Sequence, residues 1–179
     1  MDYDSIKLFI DTFSLVVLAI GVIIAIIKIS HQYEWYRRDK AISYSTLNYP
    51  DLQEFKIEIK EKFSHPTHRD VIPYEEIAEK IKNERGLEVK LNTLLNYYEN
   101  ISIACKNKIA DEDILFEMLA GSLVADYKKF AEYITKRRIE LNNKKLYLHF
   151  QNLANEWDKK LIQPVPEKRA LGLPFFVKR

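Results

Sequence analysis

The sequence predicts an all-α protein in which an N-terminal single transmembrane helix is followed by a cytoplasmic helical bundle. One observation is a charge-free apolar run, "TFSLVVLAIGVIIAII", at residues 12–27. Another is the recurrence of apolar residues at three- and four-residue steps in the second half, which is typical of amphipathic helices. Because each apolar stripe needs another helix to cover it, several such helices predict a bundle.

The apolar run is long enough for a membrane anchor once its flanks are included. Residues 8–29 form a nearly continuous apolar stretch, and about 20 residues are needed to cross roughly 30 Å of hydrocarbon as a helix. Asp11 and Lys28 then mark the two edges of the bilayer, with Lys28 extending along its own stem. A cleavable signal peptide disagrees with the acidic start "MDYDS", and a buried soluble helix is the remaining alternative.

The basic residues are distributed unequally around this run. Lys7 is the only base before it, and the sequence after it is rich in bases: Lys28, Arg37, Arg38 and Lys40. Since cytoplasmic flanks carry the excess of Lys and Arg, we expect the N-terminus outside and the C-terminal part in the cytoplasm. An aromatic belt at the inner headgroups fits the same direction, with Tyr33, Trp35 and Tyr36.

The chain divides into five predicted parts. They are a short extracytoplasmic tail (1–7), the transmembrane helix (8–29), a juxtamembrane helix (30–49), a cytoplasmic helical domain (50–162) and an extended C-terminal tail (163–179). Within the domain, "DLQEFKIEIKEKF" fits a helix, although its alternation also fits a strand. We expect Gly86 to form a left-handed C-cap and Gly121 to separate two helices.

Three stripes predict the core of the domain. The first consists of Leu91, Leu94, Tyr98, Ile101 and Cys105. The second consists of Leu123, Tyr127, Phe130, Ile134 and Leu141. The third consists of Leu146, Phe150, Leu153, Trp157 and Leu161. Each stripe follows the helical period, so we expect these side chains to be buried.

Composition makes several functional classes improbable. The net charge of +2 and pI near 8.4 provide no strong field for nucleic acid, so no nucleic-acid partner is expected. Cys105 is the only cysteine, which excludes an internal disulfide and fits a reducing compartment. The sequence contains no Gly-rich phosphate loop, nucleophile elbow or His-Glu-x-x-His motif.

Few residues suggest chemistry, and each has a structural explanation. Asp111 and its neighbours in "DED" resemble a metal cluster, but an acid before an apolar helix is the usual N-cap. His65 and His68 lie in a proline-bounded loop without a third ligand. Cys105 falls on a buried stripe. We therefore predict no enzyme, no catalytic or metal-binding residues and no cofactor. A hydrolase using the "DED" acids and Glu99 remains an alternative.

A candidate partner or ligand surface combines two groups of polar residues, which are Asn96, Glu99, Lys136, Arg137 and Arg138. Glu99 either lies in a pocket or points to solvent. The bases belong to "TKRRIELNNKK", which also contains Lys144 and Lys145. They either contact anionic lipid or form a solvated helix end that complements the helix dipole.

One face of the transmembrane helix is suited to contact with another helix. Steps of three, four, three, four and three residues join Asp11, Ser14, Leu18, Gly21, Ala25 and Lys28, a set called the seam below. Small residues on a seam of this heptad type let another backbone approach closely, so we expect a homo-oligomer. A Gly-x-x-x-Ala spacing also arises by chance in short spans.

Residues 94–127 resemble the core of an uncharacterised bacterial family of short, single-span membrane proteins with a cytoplasmic helical domain, described only as a domain of unknown function. The resemblance depends on Leu95-Asn96 with Glu99 a turn later, on the acidic cap at Asp111-Glu112 and on Gly121. Lys108 departs from it, since members tend to have glycine before the cap. The resemblance implies a bacterial inner-membrane protein and no assigned activity.

These features together predict a membrane-anchored interaction or scaffold module. It would hold or sense a cytoplasmic protein partner at the inner membrane, with the lipid bilayer and further copies of itself as its other partners. The alternative is an oligomeric membrane effector, for example in phage defence, that perturbs the membrane when its cytoplasmic domain is triggered.

Overall fold

The structure is a computed structural model that describes residues 2–44, 49–63 and 71–163, with the backbone alone for residues 4–6 and 8–10. Every regular element in these ranges is an α-helix, which confirms the predicted all-α class. The helices are α1 (Tyr3–Ser43), α2 (Pro50–Lys62), α3 (Tyr74–Asn83), α4 (Leu87–Lys106), α5 (Glu112–Glu140) and α6 (Leu148–Ile162). The predicted loop with His65 and His68, and the predicted tail from residue 164 onward, lie outside the described residues.

Helix α1 runs without interruption through the predicted span and into the predicted juxtamembrane segment. Its apolar part is exposed along its length, with Leu15 71% and Leu18 68% exposed. Its C-terminal part contacts α5, and Ala41 is fully buried there. One continuous helix therefore joins an uncovered apolar segment to the folded domain.

Helix α2 resolves the ambiguity of "FKIEIK" in favour of a helix. Pro50 occupies its first turn, where a missing N–H costs nothing. Leu52 and Ile59 are buried, while Ile57 is 59% exposed. Burial two turns apart is the pattern of one helix face against α4, rather than of an alternating strand.

The domain is built on an antiparallel pair of long helices, α4 and α5. Tyr98 of α4 donates a 2.7 Å hydrogen bond to Asp126 of α5, and Arg137 near the end of α5 pairs with Glu88 near the start of α4 at 3.2 Å. Helix α6 packs on both of them, α2 packs on α4, and α3 contacts both α4 and α5. Large fully buried side chains fill the core: Trp157, Tyr98, Tyr133, Phe63, Phe130 and Phe150.

Two glycines behave differently from the prediction. Gly121 does not separate two helices, because α5 passes through it without a break. A helical glycine costs only about 1 kcal/mol relative to alanine, and the flanking Leu119 and Leu123 are buried. Gly86 has φ −88° and precedes α4, so it is not the left-handed C-cap of α3, which ends at Asn83 with extended backbone at Glu84.

The three predicted stripes are mostly buried, with two exceptions at helix ends. Leu141 is 52% exposed because α5 ends one residue earlier, and Leu161 is 47% exposed in the last turn of α6. Tyr127 and Leu146 pack against the core while staying partly exposed. The other members are buried: Leu91, Leu94, Tyr98, Ile101, Cys105, Leu123, Phe130, Ile134, Phe150, Leu153 and Trp157.

Candidate functional site

The seam lies in the uncovered part of α1. All six of its residues are exposed, and the added Cβ of a residue at Gly21 would meet no atom within 4 Å. At 100° per residue the seam covers an arc of about 100° of the helix surface. The structure therefore places Asp11, Ser14, Leu18, Gly21, Ala25 and Lys28 on one open face, with no neighbour from the described part of this chain.

The C-terminal third of α1 is fastened to the domain at a junction with the α4–α5 turn, called the helix joint below. The Tyr33 hydroxyl donates a 3.0 Å hydrogen bond to the Lys108 carbonyl, and the Asp111 backbone N–H donates to the Arg37 carbonyl at 3.1 Å. Further along, the Tyr97 hydroxyl donates to the Tyr44 carbonyl. These backbone acceptors fix the direction of the domain relative to α1.

The α4–α5 turn at the helix joint depends on two residues singled out in the sequence. Lys108 has φ 54°, a left-handed conformation that glycine adopts without strain. This conformation explains why glycine is the residue expected at this position from the family resemblance. Asp111 then caps α5, since its carboxylate accepts a hydrogen bond from Ile114 N at 3.3 Å.

Glu99, predicted as part of a partner surface, forms hydrogen bonds inside the domain. Its carboxylate oxygens accept from the backbone N–H groups of His149, at 3.3 Å, and Phe150, at 2.7 Å. These N–H groups belong to the first turn of α6, whose own N-cap Tyr147 is left-handed and provides no side-chain cap. A carboxylate at this position also complements the positive end of the helix dipole. The geometry gives Glu99 a capping role.

Two of the predicted basic residues are also engaged within the domain. Arg137 pairs with Glu88 at 3.2 Å and with Glu140 at 2.9 Å. Arg138 holds the α5–α6 connection, because its guanidinium donates to the carbonyls of Leu146 and Tyr147 and to the side chain of Gln151. Asn96 and Lys136, the remaining members of the predicted surface, are exposed.

The basic end of α5 lies far from the helix joint. Helix α5 begins at the joint and has 29 residues, so its other end is about 43 Å away at 1.5 Å per residue. The exposed apolar side chain of Ile139, 72% accessible, is in the same region as Lys136. This region is called the distal end below. It is separated from the apolar part of α1 by the length of the domain.

Sequence reasoning missed a polar cluster between α2, α4 and α5, called the lysine cavity below. It has a volume of about 280 Å³, and its lining includes Lys56, Lys60, Asp126, Lys129 and Ser122. Asp126 occupies a position of the second apolar stripe, three residues after Leu123 and four before Phe130. An acid at a stripe position was the signal that could have revealed this cavity.

Burial and charge act in opposite directions on the groups of the lysine cavity. Desolvation raises the pKa of Asp126, against the lowering effects of the Tyr98 hydrogen bond and of the surrounding lysines. Desolvation lowers the pKa of Lys56, whose ammonium lies 5.7 Å from the centre of the Tyr98 ring. Burial also raises the pKa of Tyr98 well above its usual value. The cavity thus holds charges in a partly dry environment.

A second cavity, of about 240 Å³, lies between α4, α5 and α6 and includes Cys105, His149 and Glu112 in its lining. Burial raises the pKa of Cys105 to about 12, so the thiol is protonated at neutral pH and is not an activated nucleophile. Glu112 is held by Lys160 at 2.7 Å and by Trp157 Nε1 at 3.2 Å. These contacts join α5 to α6, so we assign the residues around this cavity a structural role.

Comparison with known proteins places the chain in a family without assigning an activity. No curated protein and no solved structure matches the chain. One family model, described as "Domain of unknown function (DUF4760)", matches residues 15–157. The match begins inside the apolar part of α1 and ends within α6. It therefore includes most of the apolar part of α1, the helix joint and most of the helical domain. The chain belongs to this family of domains of unknown function.

Proposed function

We propose that the protein is a single-span bacterial inner-membrane protein that holds or senses a cytoplasmic partner protein through its helical domain. The observation that supports this most strongly is the exposure of α1. The segment Asp11–Ser43 is long and apolar enough to cross a membrane, and none of its most apolar window is buried in the chain. A core helix of a soluble protein would be covered by its neighbours. Lipid supplies the missing cover.

The helix joint supports a tethered role for the domain. Tyr33 lies five residues after Lys28, about 7.5 Å along the helix, and it binds the α4–α5 turn. The domain then begins directly beneath the headgroups, and its distal end extends about 40 Å into the cytoplasm. Asn96, Lys136 and Ile139 are exposed at positions that a cytoplasmic protein can reach.

The orientation is tested by labelling single cysteines in intact cells. Ser5→Cys and Asn83→Cys are each introduced in a Cys105→Ser background and treated with a membrane-impermeant thiol reagent. We expect labelling of the first variant only, because the excess of Lys and Arg follows the span. Labelling of Asn83→Cys in intact cells would show the opposite orientation, and labelling of neither in intact cells but both after lysis would place the whole chain inside.

Self-association along α1 is the second part of the proposal. If the heptad of the seam is continued, Gln32, Trp35 and Asp39 occupy seam positions, whereas Tyr33, Arg37 and Ala41 fall on the outer positions. At 100° per residue, Tyr33, Arg37 and Ala41 lie roughly 90–170° around the helix from the centre of the seam. The domain therefore leaves the seam open for another copy along both the apolar and the polar part of α1.

A membrane effector is the second candidate function, and the placement of two charges favours it. Asp11 and Lys28 lie on the seam face, so assembled copies would enclose both charges rather than expose them to lipid. A ring of such spans would line a polar opening. The test is membrane potential during controlled expression. Depolarisation that depends on Asp11 supports the effector, whereas an unchanged potential at high expression supports the scaffold.

A further inference from the structure

We propose that the lysine cavity binds a small soluble molecule bearing a phosphate or an equivalent dianionic group. The cavity lies between α2, α4 and α5, and its cationic side chains come from two different helices: Lys56 and Lys60 from α2, and Lys129 from α5. A lysine ammonium acts as a point charge and lacks the planar fork by which arginine pairs with a carboxylate, so lysines contributed by two helices suit a tetrahedral anion with several acceptor oxygens.

The charge balance of the cavity favours an anion. Lys56 and Lys129 outnumber Asp126, the single carboxylate among the described residues that line the cavity. Among the described residues, neither Lys56 nor Lys129 forms an ion pair with Asp126. The Asp126 carboxylate instead accepts a 2.7 Å hydrogen bond from the Tyr98 hydroxyl. Asp126 is thus the one carboxylate among the described residues that line the cavity, and Lys56 and Lys129 share its charge without a direct ion pair.

Lys56 makes this excess of charge costly when the cavity is empty. Its ammonium is partly buried and rests over the Tyr98 ring, 5.7 Å from the centroid, where it has lost part of its hydration. Asp126 offsets part of the cost of desolvating this cation, and an anion that enters the cavity offsets more of it. Binding would thus relieve an electrostatic cost already present in the fold.

Size and position restrict the class of ligand. The volume of about 280 Å³ is just under the range of about 300–1,000 Å³ typical of drug-sized ligands, so the occupant is small. Asp126 lies 15 residues into α5 from its cap at the helix joint, about 22 Å along the helix. If α1 spans a membrane, the cavity lies well below the headgroups, which favours a soluble phosphate ester over a lipid headgroup.

The test measures the affinity of the full chain in detergent micelles for two probes, inorganic phosphate and glycerol 3-phosphate, by titration calorimetry at constant ionic strength. Glycerol serves as the uncharged control. We expect a Kd of about 1 mM or tighter for the phosphate ester and no heat from glycerol. Lys129→Gln should weaken binding about tenfold, because it removes one charge-assisted contact. Lys82→Gln, an exposed lysine on α3, should leave it unchanged.

Asp126→Asn makes the test sharper, because the charge argument predicts the opposite sign. This substitution removes the one negative charge and keeps an oxygen acceptor for Tyr98, so phosphate affinity should rise several-fold. A purely structural role for the cluster predicts no gain. Absence of binding by wild type, equal weakening by Lys129→Gln and Lys82→Gln, or weaker binding by a folded Asp126→Asn variant would each overturn the proposal.

A final arm distinguishes the two sources of a phosphate group. The full chain is placed in nanodiscs of phosphatidylcholine with or without phosphatidic acid, and glycerol 3-phosphate is titrated into both. Equal affinities support a soluble ligand, whereas loss of binding in phosphatidic acid would mean that the lipid occupies the cavity and would overturn the soluble class. The outcome is independent of the topology test, since phosphate binding in micelles requires neither orientation nor a partner protein.

Discussion

The two parts of α1 share one continuous helical backbone but have opposite surroundings. From Asp11 to Ser30 every residue is exposed, including Leu15 at 71%. A few turns later, Ala41 is fully buried and is the first of the described side chains that belongs to the hydrophobic core. The more apolar part of the helix is thus the one without cover. Its cover must come from outside the described chain, whereas the less apolar part is held by the domain.

This difference separates two roles that a single helix combines. In the domain, apolar side chains are satisfied by neighbours within the described chain, so substitutions there should change the free energy of unfolding. In the exposed part, the same kinds of side chain have no such neighbours, so substitutions should leave that free energy unchanged and, if α1 functions as proposed, change membrane insertion or self-association instead. Matched pairs of substitutions, one in each region, test whether the two roles are separate.

The largest contrast is expected for the two tryptophans. Trp157 is fully buried, and its ring packs edge-on against Phe116 with centroids 5.5 Å apart. Trp157→Ala should lower the free energy of unfolding by about 3–5 kcal/mol. Trp35→Ala should change the free energy of unfolding little, because Trp35 is 68% exposed. Chemical denaturation in micelles, followed by the helical circular dichroism signal, measures both. Equal losses would mean that Trp35 contributes as much to the fold as the buried Trp157, and the two roles of α1 would not be separate.

The second contrast uses two alanines of α1. Ala41 is fully buried at the contact with the domain, so Ala41→Leu forces extra methyl groups into packed space and should cost about 1–3 kcal/mol of domain stability. Ala25 is exposed on the seam, and Ala25→Leu should leave domain stability unchanged. Thermal unfolding of both variants provides the comparison. A stable Ala41→Leu protein would indicate a loose helix joint, and the domain would then be free to turn beneath the anchor.

Sequence reasoning was most successful where periodicity was long. Most residues of the stripes in α4, α5 and α6 are buried as predicted, because a helical period leaves few alternatives once the residues recur over several turns. The prediction of a helix break at Gly121 was wrong. A glycine inside a helix costs about 1 kcal/mol relative to alanine, and whether the helix continues depends on whether packing on both sides outweighs this cost. That balance is a tertiary property and is not visible locally.

The candidate site was harder to predict, for a related reason. The side chains of the lysine cavity come from helices far apart in sequence, so no local spacing unites Lys56 with Asp126. Glu99 illustrates the reverse case. Its position left open whether it lies in a pocket or points to solvent, and the structure brings the first turn of α6 to it, some fifty residues later. Long-range partners decide whether a polar residue is a cap, a ligand or a solvated group.

The smallest expected effect concerns the seam, and it tests whether the exposed part of α1 contacts a second copy of the chain. Gly21 has open space around it, so Gly21→Leu is harmless to a single copy but blocks close approach of two backbones. Val22 lies off the seam, and Val22→Leu serves as the control. In a bilayer the gain from association comes from packing and from hydrogen bonds, typically about 1 kcal/mol for a polar pair such as one involving Ser14. Crosslinking in native membranes should therefore give several-fold less oligomer for Gly21→Leu than for wild type, with Val22→Leu unchanged. Equal yields in all three would leave α1 as a monomeric anchor, and the effector function would lose the shared face on which it depends.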